Sequence, residues 1–147
     1  MKSKSTILIV FFTLITTISF AQSQKSIFFD RETQITKFHT IDELENLKKG
    51  DLITLYKERI NEIITVLPYL ALTNQPEVSL SDIGIKEDSN HLKILKQNHE
   101  ATSDGLETTK EMISELVPYA DTEKIIWSIL YYEEIIKKIR IGIDGNF

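Results

Sequence analysis

His39, His91 and His99 are the only imidazoles in the chain, so histidine-based metal or proton chemistry must start from them. Two histidines converge on one ion when they sit three or four residues apart on a helix. His91 and His99 are eight apart, about 12 Å along a helix at 1.5 Å per residue. They share a side but not a coordination sphere. Asp88-Ser89-Asn90-His91 is half of a carboxylate–histidine pattern, and bundle metal centres use Glu-x-x-His twice. Here the motif occurs once, at a helix start, where Asp88 or Ser89 serves more simply as a cap. No metal ligand and no cofactor are therefore assigned.

His99 is the polar residue to watch. It shares a helical stripe with Thr102 and Thr109, and these three form a candidate ligand seam. A second set, Glu100, Asp104, Glu107, Glu111 and Glu115, makes an acidic ridge at steps of four, three, four and four. Paired carboxylates can transfer protons or hold calcium. Like charges in adjacent rows of one helix are more simply a solvated face, and no calcium-loop pattern accompanies them. Nucleophile elbows, phosphate-binding loops and dinucleotide fingerprints are absent, and five scattered glycines build no phosphate cradle. The chain contains no cysteine, which excludes thiol catalysis, zinc–cysteine modules and covalent haem attachment. No catalytic residue is assigned, and the expected protein is not an enzyme.

The elements that would position these residues begin after a leader. Lys2 and Lys4 precede an uncharged apolar run from Ile7 to Ile18, and Ser19-Phe20-Ala21 supplies small residues at an exit. This is the pattern of a cleavable secretory signal. The run is shorter than the roughly 20 apolar residues a membrane span needs. Residues 1–21 are thus expected to be removed, leaving a periplasmic or secreted protein with no stable membrane span. The whole chain has 17 basic and 22 acidic residues. Loss of Lys2 and Lys4 leaves 15 against 22, a net charge of −7, which repels nucleic acid and anionic membrane surfaces.

Residues 22–39 read as an extended lead-in with apolar islands at Ile27-Phe28-Phe29, Ile35 and Phe38. Residues 40–147 read as one helical domain. Thr40-Ile41-Asp42-Glu43 fits a capping box. It opens a short helix expected to run to Lys48 and Lys49 and to stop at Gly50. Asp51 is then placed to cap a second helix with a stripe at Ile53, Tyr56, Ile60, Ile63, Leu67 and Leu70, ended by Pro68. Residues 71–88 are a turn-rich break whose apolar residues pack on the body. A long third helix carries Leu92, Leu95, His99, Thr102, Leu106, Thr109, Ile113 and Leu116, and its register survives Gly105. Pro118 ends it as Pro68 ended the second.

The last helix carries Ile125, Ile129, Tyr132, Ile136, Ile139 and Ile143. From Ile125 to Tyr132 only Ser128 is neither apolar nor aromatic, which predicts burial nearly all round, in a bundle centre or an oligomer contact. Glu133 with Lys137 and Glu134 with Lys138 are read as surface pairs at i,i+4. The expected fold class is all-α: a small antiparallel helical bundle of three long helices and one short one.

Absence of catalytic motifs combined with an aromatic-rich helix points to protein–protein contact in a bacterial envelope. Trp127 and Tyr131 are the candidate interaction surface. The partner is another protein or a second copy of the chain, forming a homodimer through the last helix. The alternative is a periplasmic carrier of a small ligand or metal along the His99–Thr102–Thr109 seam.

Overall fold

The computed structural model describes residues 26–141. The expected signal peptide, and Ile143 of the last stripe, lie outside the described residues. The described chain is mostly helical. Its four α-helices are α1 (Ile41–Glu45), α2 (Lys49–Val66), α3 (Ser89–Leu116) and α4 (Thr122–Ile141).

Helix α1 starts as its sequence dictates. The Thr40 side chain accepts from the Glu43 amide while the Glu43 carboxylate accepts from the Thr40 amide, so two orphan donors of the first turn are satisfied together. It stops at Glu45, earlier than its lysines suggest. Gly50 does not terminate it. That glycine lies in the first turn of α2, and Lys48 is the N-cap without a side-chain hydrogen bond. Asp51 is therefore not a cap but an acid in the first turn, where the positive end of the helix dipole favours it.

Both prolines act alike. Val66 ends α2 and Leu116 ends α3, and each chain continues as one tight 3-10 turn, Leu67–Tyr69 and Val117–Tyr119. The helix remains continuous through Gly105. Its N-terminus is capped by the Asp88 carboxylate, which accepts from the Asn90 and His91 amides. Those bonds hold the Asp88 carboxyl below its ordinary range.

Helix α2 is the middle element and packs against both α4 and α3. Arg59 meets Glu133, and Glu62 meets Arg140. Lys57 meets Ser114 and Tyr69 meets Asn98. Positions rise together along α2 and α4 but run in opposite order along α2 and α3. One core cluster joins Leu44, Leu52, Ile125, Ile126 and Ile129. The other joins Phe28, Phe29, Val66, Tyr69, Leu80, Leu95 and Ile139. The lead-in and the 71–88 segment close this second cluster. The Phe28 and Leu80 amides donate to the Val78 and Ser26 carbonyls, on either side of the isolated bridge Ile27–Ser79. The Asn74 amide donates to the Ile139 and Arg140 carbonyls, which satisfies acceptors left open at the end of α4.

The buried faces differ from the expected stripes at two places. The positions α2 buries are Leu52, Arg59, Glu62 and Val66. Ile53, Tyr56, Ile60 and Ile63 are half-buried, and Leu67 and Leu70 are exposed. On α4 burial is one-sided: Ile125, Ile126, Ile129, Glu133, Ile136 and Ile139 are covered, whereas Trp127 and Tyr131 face outward. The helix does not bury its whole circumference, because α2 covers a single side and no described element lies over the other.

Candidate functional site

Residues outside the two apolar clusters build three features: an ionic clamp, a polar trough and an aromatic outer face.

The clamp lies where α2, α4 and residues 35–39 meet. Glu133 is 1% exposed and Arg59 is 1% exposed. Arg59 donates from Nε at 3.1 Å and from Nη2 at 2.8 Å to Glu133 Oε1, a two-pronged contact that suits the guanidinium fork. Arg140 likewise donates to Glu62 Oε1, from Nη2 at 2.7 Å and from Nε at 3.2 Å. The second oxygen of each carboxylate turns to the lead-in. Glu62 Oε2 accepts from the Ile35 amide at 2.7 Å, and Glu133 Oε2 accepts from the His39 amide at 2.7 Å. The arginines complete the set: Arg140 donates to the Ile35 carbonyl and Arg59 to the Lys37 carbonyl. An extended segment lacking a strand partner is thus hydrogen-bonded by side chains at every second residue. Phe38 sits under Lys137 and Arg140, 5.1 and 5.3 Å from its ring centre, in cation–π range.

His39 belongs to this clamp, its Nδ1 lying 3.0 Å from Glu133 Oε1 and 3.1 Å from Arg59 Nη2. Glu133 does not pair with Lys137 on the surface. Lys137 pairs instead with Glu134 at 2.7 Å. No buried side-chain polar atom among the described residues lacks a partner. With all its groups engaged, the clamp is a holding device.

The trough lies on the opposite flank, between residues 30–33, α2 and α3, with a volume of about 710 Å³. Helical spacing brings Asn61 and Thr65 of α2 to it, and His99, Thr102, Ser103, Leu106, Glu107, Lys110, Glu111 and Ser114 of α3. His99 Nε2 donates to the Phe28 carbonyl at 2.9 Å, which leaves the neutral ring a lone pair on Nδ1. The ring also meets Tyr69 edge-on at 6.2 Å. Burial pushes the Tyr69 hydroxyl up to about 12, and this hydroxyl donates to Asn98 at 2.6 Å. Of the expected seam, His99 and Thr102 line the trough. Thr109 does not: its hydroxyl donates to the Gly105 carbonyl one turn back, the local bond threonine commonly makes within a helix. Thr33, Asn61, Thr65, Thr102 and Ser103 make no side-chain hydrogen bond to other described residues, and Lys110 makes no ion pair. The five carboxylates of the acidic ridge are all exposed, and Glu107 and Glu111 form part of the wall.

A second hollow of about 630 Å³ adjoins the trough and shares Thr33, Asn61 and Lys110 with it. It runs along the outer side of residues 32–37. Among the described residues, no group of three or more His, Cys, Asp or Glu side chains is placed to hold a metal ion.

The third feature is the outer face of α4. Trp127 is 56% and Tyr131 66% exposed. They are four positions apart, so they lie about one turn apart on the same side. Tyr131 continues inward to Tyr132 at 6.2 Å and then to Tyr56 at 5.5 Å between ring centres. Burial, with the Tyr132 hydrogen bond second, pushes the Tyr56 hydroxyl up to about 12.

Sequence reasoning missed the clamp because it read Glu133 as a surface partner of Lys137 and assigned Arg59 and Glu62 no role. The usable signal was positional, since Glu133 and Glu62 each fall between apolar residues on the covered face. No family model, curated protein or solved structure matches this chain.

Proposed function

We propose that the protein is an exported interaction module of a bacterial envelope, a small helical bundle without enzymatic activity that engages a protein partner through α4. The observation that carries this reading is the exposure of Trp127 and Tyr131 together on one helical face. Large aromatic side chains give high contact area at low entropic cost, and they are enriched where interfaces hold their binding energy. A lysine, a serine and two glutamates surround them in sequence (Lys124, Ser128, Glu123 and Glu134), giving an apolar centre with a polar rim. The leader and the acidic balance of the mature chain support an envelope location and disfavour nucleic acid.

The test is affinity purification of the tagged full chain from its native envelope after gentle crosslinking, with mass determination of the purified species. A stoichiometric complex or homodimer is expected. Trp127→Ala and Tyr131→Asp should each abolish it while the far-ultraviolet circular dichroism stays unchanged. Variants that leave the complex intact, or a wild-type protein that is monomeric and partner-free, overturn the reading.

A second reading, carriage of a small ligand, is favoured by one observation: the trough has the volume of a small-molecule site, about 300–1,000 Å³, and holds hydrogen-bonding groups with no partner among the described residues. It predicts a rise in thermal stability when the ligand is present.

A further inference from the structure

The trough permits a statement about ligand class, which rests on the carrier reading above. We infer that it binds a short oligosaccharide bearing free amino groups.

Asn61, Thr33, Thr65, Thr102 and Ser103 line the trough without side-chain hydrogen-bond partners among the described residues. Amides and hydroxyls both donate and accept, so their complement is a ligand with closely interleaved donors and acceptors. Sugar hydroxyls have that property at every carbon. The charges narrow the class further. Asp30, Glu107 and Glu111 face the trough against one ammonium, Lys110. This balance disfavours phosphorylated or acidic ligands and favours an amine.

Other classes fit less well. Most side chains of the wall are polar or charged, with Tyr69 and Leu106 the apolar exceptions among the described residues. An acyl chain or aromatic ligand would therefore cover hydrogen-bonding and charged groups without satisfying them, whereas sites for such ligands are lined mainly by apolar side chains. A peptide added as a strand needs a sheet edge, and the only β pairing among the described residues is the isolated Ile27–Ser79 bridge. A metal ion finds no three-ligand group there.

The test is titration of the isotope-labelled mature chain with four probes, read by backbone amide chemical shifts. The probes are chitotriose, which carries three free amines, its N-acetylated form, maltotriose and a galacturonic acid trimer. Chitotriose at mildly acidic pH should give saturable shifts at Asn61, Thr65, Thr102 and Ser103. The N-acetylated trimer and maltotriose should bind more weakly, and the acidic trimer should not bind. Asn61→Ala should weaken chitotriose about tenfold, the worth of one hydrogen bond in a binding site. Glu107→Gln should narrow the preference for the free amine, and both variants should keep the urea midpoint of the parent.

Shifts outside the trough, an unaltered affinity in Asn61→Ala, or preference for the acidic trimer would each overturn the inference. A parallel titration with spermidine, free amino acids and divalent zinc separates it from the carrier reading. If one of these binds in the trough and no trimer does, carriage stands and the sugar assignment falls. If nothing binds there, both fall.

Discussion

The two flanks of α2 treat polar groups in opposite ways. Toward α4, Arg59, Glu62 and Glu133 are almost fully buried, and every polar atom is engaged. Toward α3, Asn61 and Thr65 are half-buried and their side chains have no hydrogen-bond partner among the described residues. Asn61 and Glu62 are adjacent in sequence, so one residue step along a helix separates a fastener from an open site. The lesson concerns what burial demands. A charge removed from water must be met by complementary charges and hydrogen bonds, so the α4 flank is committed to one arrangement. A polar group at a wet trough keeps water as an alternative partner and remains available to a ligand.

The largest test of this contrast is Glu133→Ala. It leaves the buried Arg59 with only the exposed Glu58 carboxylate, 2.9 Å from its Nη1, and frees the His39 amide. The expected loss is about 3 kcal/mol, the low end of the usual penalty for removing one partner of a buried ion pair, measured as a fall in unfolding free energy in urea. An Arg59→Leu/Glu133→Leu double variant should recover most of that loss, because an apolar pair carries no desolvation penalty. If the single variant is as stable as the parent, the clamp is not what holds the lead-in.

Tyr69→Phe probes the boundary between core and trough. It removes the hydrogen bond to Asn98, and the expected loss is about 1 kcal/mol. The parent has an additional alkaline signature. The hydroxyl of Tyr69 is raised to about 12 by burial, so the stability it contributes is complete below the ordinary tyrosine value near 10. That stability is lost as the pH rises from there toward 12. Tyr56 shares the direction. Ultraviolet titration of the folded parent should show two late-ionising tyrosines, and Tyr69→Phe should remove one.

The smallest effects belong to the open flank. Asn61→Ala and Thr102→Ala remove groups with no protein partner, so each should change stability by no more than about 0.5 kcal/mol in the same urea experiment. A larger loss would mean that these side chains serve the fold, and the contrast between flanks would disappear.

Much of the architecture was legible because it depends on local rules. The capping box at Thr40–Glu43, the Asp88 cap, the proline stops and the unbroken helix across Gly105 each follow from a few adjacent residues. What sequence could not place depends on distant neighbours. The stripe on α2 was drawn through isoleucines and tyrosine. The face covered by α4 instead runs through Leu52, Arg59, Glu62 and Val66, because partners 74 and 78 residues away supply the countercharges. The same cause misplaced Glu133: an i,i+4 lysine is a reasonable partner until a buried arginine outcompetes it. The aromatic helix was expected to be buried nearly all round, in the bundle centre or in an oligomer contact, and apolar content alone cannot tell a face covered within the chain from one left outward. For the trough, His99 and Thr102 were visible from spacing on one helix. Asn61, Thr65 and Thr33 were not, since their convergence requires knowing how α2 and the lead-in lie against α3.

The manner in which residues 35–39 are held bears on how freely that stretch can vary. Its fastenings run to amides and carbonyls of Ile35, Lys37 and His39, groups that almost every amino acid supplies in identical form. Thr36 and Lys37 are exposed, so substitution there should be nearly silent. Proline is the exception at 35 and 39, because it lacks the amide hydrogen that Glu62 and Glu133 each accept. Positions 36 and 37 can therefore drift in composition while the course of the segment over the helices stays fixed, and a library of variants across it should be depleted of proline at 35 and 39 while 36 and 37 stay diverse.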